Sequence, residues 1–80
     1  MIIKLVHRTG REVTLDNVEP TDRIIDLKER FALMECVPPS AQRYIDLYGR
    51  FFRDSQTVKD LSLRDGFKIY LINANHLIRT

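Results

Sequence analysis

The sequence predicts an α+β fold: a mixed sheet packed on one long helix, with a short helix besides. Three observations predict it. Two alternating apolar segments joined by a glycine-containing loop open the chain, a segment with helical spacing follows, and shorter extended segments close it. With 80 residues there is room for one domain and not two.

Met1, Ile3 and Leu5 fall on one face of the first segment, and Ile2, Lys4 and Val6 on the other, which is the period of a strand. Gly10 can take the positive φ of a hairpin loop, and Val13 and Leu15 resume the inward alternation over residues 12–16. Pro20 stops that strand, leaving Thr21 or Asp22 to cap a helix. From Ile24 the period changes, with Ile24, Leu27, Phe31 and Met34 on one helical face. Val37-Pro38-Pro39 ends it. Residues 42–48 read as a strand, Gly49 as a turn and residues 50–53 as a short strand. Thr57 and Asp60 have capping spacing, which predicts a single helical turn, and Asp65-Gly66 precedes a final strand over 68–73. Domain 1–74 is thus followed by a tail, 75–80, expected to be flexible.

The composition narrows the function classes. The apolar stretches are far too short to cross a membrane, and the first residues lack the apolar core of a secretory signal. One cysteine, Cys36, cannot make an internal disulfide, which favours a cytoplasmic or nuclear setting. A net charge of +2 is too balanced to imply nucleic acid. Nine of the thirteen basic residues are arginine, which suits bidentate contact with carboxylates on a protein partner. No metal-ligand spacing, phosphate-binding glycine loop or acid–base pair is present, so neither cofactor nor catalysis is expected. Cys36 reads as a small packed apolar residue and His7 as a solvated one.

An ordered series of short motifs carries a resemblance. They are Thr9-Gly10-Arg11 with Val13-Thr14-Leu15; Val18-Glu19-Pro20-Thr21-Asp22; Ile24 and Leu27-Lys28; Val37-Pro38-Pro39; Gln42-Arg43; Gly49-Arg50; Asp54; Thr57-Val58 with Asp60; and Ile69 and Leu71. In this order and spacing, over residues 1–73, the chain resembles the ubiquitin family, with one-residue insertions near Asn17 and between Tyr44 and Gly49. The resemblance implies the β-grasp fold. It also implies a core of Ile3, Leu5, Val13, Leu15, Ile24, Leu27, Phe31, Phe52, Val58, Leu61, Leu63, Ile69 and Leu71. A shorter likeness, in residues 45–49 and 65–70, is to the ubiquitin-like domain of tubulin-folding cofactor B, which would make the chain a module of a larger protein.

Two departures bear on function. Conjugated members of the family end in a diglycine, and residues 75–80 hold none, so the sequence as it stands is expected not to be conjugated; a continuation carrying Gly-Gly would reverse this. The positions that match the family's chain-linking lysines carry Val6, Arg11, Arg30, Met34, Arg50 and Asp65, and only Lys28 survives.

The expected role is therefore non-covalent protein binding by a monomer, with ubiquitin-binding-type domains or a dedicated partner, and without nucleic acid or membrane. The resemblance places the docking face at Ile45, Tyr70 and Ile72, rimmed by Arg8, Arg43, Gly49 and Arg50, with Tyr48 and Phe51 adding to it. The alternatives are a modifier with a processed diglycine end and an adaptor of the Ras-binding β-grasp kind, using Arg8 and Arg11 on an acidic partner. Strand register at 44–48 is open. Strict alternation turns Tyr44, Asp46 and Tyr48 outward and Ile45 and Leu47 inward, the resemblance reverses Tyr44 and Ile45, and a bulge at Asp46 would reconcile them.

Overall fold

A computed structural model describes residues 1–73. The expected tail and the domain boundary at 74 lie outside the described residues. Strands β1 (Ile3–His7), β2 (Glu12–Leu15), β3 (Gln42–Ile45) and β4 (Phe67–Asn73) form one sheet in the order β2-β1-β4-β3. β1 and β4 run parallel, and the other neighbours antiparallel. Helix α1 (Ile24–Glu35) covers one side. This mixed sheet on one helix is the ubiquitin-like β-grasp architecture.

Alternation decides which side of the sheet faces α1. Ile3, Leu5, Val13, Leu15, Tyr44, Ile69 and Leu71 point inward and are buried, and their strand neighbours point away. The core closes on Ile24, Leu27 and Phe31 of α1, with Val18, Val58 and Leu63 from the connections. Phe52 and Leu61, expected inside it, are only partly buried at its margin.

The helix begins at Ile24, as its spacing predicts, but its cap position is Arg23 and not Thr21 or Asp22. Arg23 is paired in extended geometry with Thr57, which holds the backbone out of the helix until Ile24. Asp26 then accepts from the Arg23 N–H at 2.9 Å, while Asp22 turns back to the Glu19 N–H. The first helical amides, of Ile24 and Ile25, donate to Gln56 and Asp54 carbonyls in place of helix partners. Cys36 ends α1 in the left-handed region at φ 58 and is exposed, so it is not the packed apolar residue its type suggested.

Met34 is exposed as well. The buried stripe is Ile24, Leu27, Lys28 and Phe31, rotated toward Lys28 because Asp54 meets the Lys28 ammonium at 2.6 Å and lets its stem pack inward.

The open register at 44–48 resolves as the resemblance implies. Tyr44 is inside and opposite Leu71; Ile45 is outside and opposite Tyr70. β3 ends at Ile45, and the chain closes a turn in which the Asp46 N–H donates to the Arg50 carbonyl at 3.0 Å. Asp46 therefore lies in this turn and not in a bulge within β3. The expected strand over 50–53 reduces to a Phe51–Ile45 pairing and a bond from the Phe52 N–H to the Tyr44 carbonyl. At Thr57 the reciprocal side-chain bonds with Asp60 form, and a single turn follows through the Leu61 N–H to the Thr57 carbonyl. Ser62, at φ 54, ends it.

Candidate functional site

The side of the sheet away from α1 is arranged in rows. In register, Glu12, Val6, Tyr70 and Ile45 form one row from β2 to β3, and Ile72 with Arg43 lies beside it toward the end of β4. Thr14, Lys4 and Lys68 form a row on the other side. The face is therefore divided. At one end Glu12 bridges Lys4 and Lys68, at 3.9 and 3.2 Å, and at the other Val6, Ile45, Tyr70 and Ile72 are each only half-buried.

The turn after β3 builds up the apolar end. Ile45, Leu47, Gly49 and Tyr70 share a concavity of about 270 Å³ with Asp46 at its margin. Asp46 is the organiser. Its carboxylate accepts from the Tyr48 and Arg50 N–H groups, at 2.8 and 3.0 Å, and from Arg50 Nε at 2.8 Å. Gly49, at φ +78, supplies the left-handed step that lets the turn close. The Arg50 N–H above all, with the Tyr48 N–H and the Arg50 guanidinium, holds the Asp46 carboxyl below the usual carboxylate range.

A depressed folded-state pKa means that this support is complete above the ordinary aspartate value of 3.8 and is lost as pH falls through the folded value. Acid titration followed by NMR should therefore move the Tyr48 and Arg50 amide signals with a midpoint below 3.8, and Asp46→Asn should abolish that transition. A midpoint at or above 3.8 would contradict the assignment.

The predicted residues separate into groups. Ile45, Gly49 and Tyr70 share the concavity, and Ile72 and Arg43 adjoin it in register. Tyr48, 81% exposed, carries the Arg50 guanidinium 5.5 Å from its ring centroid and forms the tip of the turn. Arg8 is exposed in the β1–β2 loop, one residue past the His7–Leu71 pair. Phe51 faces a different concavity, beyond β3. Two residues escaped the sequence reading. Val6 completes the Ile45–Tyr70 row, which its outward place in the β1 alternation already implied. Leu47, which strict alternation would turn inward, is 76% exposed because it belongs to the turn. Among the described residues no three His, Cys, Asp or Glu side chains are gathered as a metal site would need. What this face offers is apolar contact with a guanidinium rim.

The chain is 36% identical over 74 residues to the ubiquitin-like protein NEDD8 of Dictyostelium discoideum, covering 92% of this chain and 94% of that protein. It is similarly related to ubiquitin-like protein 1 of Schizosaccharomyces pombe, 35% identical with 92% of each chain covered. The NEDD8-like protein RUB1 of Saccharomyces cerevisiae is 33% identical, with 90% of this chain and 91% of that protein covered. The chain belongs to the ubiquitin-like proteins. No protein-family model matches it.

Proposed function

We propose that this ubiquitin-like protein binds other proteins non-covalently through the outer face of β1, β4 and β3. One observation carries the reading. Val6, Tyr70, Ile45 and Ile72 lie together on the side of the sheet that α1 does not cover, each half-buried and flanked by Arg43, with Arg50 held on Asp46 in the adjoining turn. Apolar and aromatic anchors supply most of the binding free energy at such surfaces, while an arginine rim steers acidic partners. A cytoplasmic or nuclear setting fits the single cysteine.

Ile72→Ala should weaken a bound ubiquitin-binding-type domain about tenfold, from the apolar area removed, and leave the fold intact because Ile72 lies outside the core. Isothermal titration with wild-type and variant protein measures this. Unchanged affinity with every partner that binds would dismiss the face.

A second reading, a covalently attached modifier, is favoured by the relatives, which this chain matches over nine-tenths or more of their lengths. Tagged protein expressed in cells separates the two. Adducts of higher mass that survive denaturation belong to a modifier, and partners lost on denaturation belong to a non-covalent binder.

A further inference from the structure

A second concavity lies beyond the outer edge of β3, where residues 51–55 pass back toward α1, and it measures about 550 Å³. Buried Tyr44 and half-buried Phe52 form its inner wall, and Phe51, 63% exposed, stands at its rim. We propose that it receives an acidic segment of a partner protein, with an aromatic side chain as the anchor and the flanking carboxylates on Arg43 and Arg53.

Size and charge both select this occupant. The volume lies in the range that side chains and small ligands fill, and the lining combines three aromatic rings with an uneven set of charges. Lys28, Arg43 and Arg53 are cationic and Asp54 is the one carboxylate. Lys28 and Asp54 are spent on each other at 2.6 Å. Arg43 and Arg53 make no ion pair among the described residues, in contrast to neighbouring Arg50, which is held by Asp46. Two uncommitted guanidinium groups beside apolar walls favour carboxylates next to an anchor and disfavour a cationic peptide. They are too few for phosphate-backbone binding, which draws its strength from many cations in a row.

The pocket goes beyond the proposed docking face and shares Arg43 with it, so Phe51 and Arg53 on one side and Ile72 on the other tell the two apart. The test is NMR titration of the 80-residue chain with the peptide acetyl-Asp-Phe-Glu-amide. Acetyl-Lys-Phe-Lys-amide, acetyl-Asp-Ala-Glu-amide and a hexathymidylate serve as comparisons. The acidic phenylalanine peptide should perturb Arg43, Phe51, Arg53 and Asp54 saturably, with a Kd of about 1–10 mM, as a three-residue ligand allows. Arg53→Glu and Phe51→Ala should each weaken it about tenfold, and Ile72→Ala should leave it unchanged. Both substituted side chains are exposed, so retention of the wild-type spectrum elsewhere verifies folding. Four outcomes would overturn the proposal. These are no saturable change at those residues, equal binding of the lysine peptide, tighter binding of the oligonucleotide, and the same shifts on concentration of the protein alone, which would assign the pocket to a second copy.

Discussion

Tyr44→Ala should destabilise the fold by about 3–5 kcal/mol in urea unfolding, close to the whole stability of a domain this small. Tyr44 is fully buried between the sheet and α1, and its hydroxyl donates to Gln42 Oε1 at 2.9 Å. Gln42 Nε2 in turn donates to the carbonyls of Lys28 and Val37, at 2.9 and 3.0 Å, tying β3 to the middle of α1 and to the segment beyond its end. Removing the ring leaves a cavity and an acceptor without its donor at once. Tyr44→Phe isolates the second effect and should cost about 1–2 kcal/mol. If the phenylalanine variant matches wild type, the hydrogen-bonded chain through Gln42 contributes nothing. Burial, reinforced by the Asp54 charge, pushes the phenol pKa far up, so Tyr44 should stay neutral in alkali for as long as the protein remains folded.

Lys28→Ala should cost about 2–3 kcal/mol, whereas Lys28→Met should stay within about 1 kcal/mol of wild type. Lys28 is a cation only 5% exposed, in the core stripe of α1, with its ammonium against Asp54 and 5.4 Å from the Tyr44 ring centroid. Alanine removes the packed stem. Methionine keeps the volume and gives up an ion pair whose other member is more than half exposed and screened by water. Asp54→Ala is the informative third variant, since it leaves the Lys28 ammonium in place without its partner and should cost more than Lys28→Met. Chemical denaturation of the three variants gives the order; a methionine variant as unstable as the alanine one would show that the charge pair outweighs the packing.

The sequence is most legible where local pattern and tertiary demand agree. The alternation from Ile3 to Val6, the helical spacing from Ile24 to Phe31 and the Thr57–Asp60 spacing all appear as written, although the strand starts at Ile3 and not at Met1. Reading fails where one residue's role depends on a distant partner. Tyr44 and Gln42 carry polar groups that argue singly for the surface and satisfy each other when buried together. Lys28 enters the core stripe because Asp54, far along the chain, neutralises it, and this displaces Met34. Arg23 occupies the cap position through its pairing with Thr57, which local propensity cannot register. Asp46 misled strict alternation because it is a turn residue with its own donors, and the outward place of Leu47 follows from that turn. Of the candidate face, the β4 residues and Ile45 were readable through resemblance, while Val6 needed the pairing of β1 with β4 to join them.

The most direct measurement for the docking face is an amide chemical-shift map of the protein titrated with ubiquitin-binding domains and, separately, with a small GTPase. The strongest saturable perturbations should gather at Val6, Ile45, Tyr70 and Ile72 with a ubiquitin-binding domain, and Ile72→Ala should suppress them. Saturable binding that leaves those four unmoved, or that shifts the β2 edge at residues 12–15 with the GTPase instead, would contradict it.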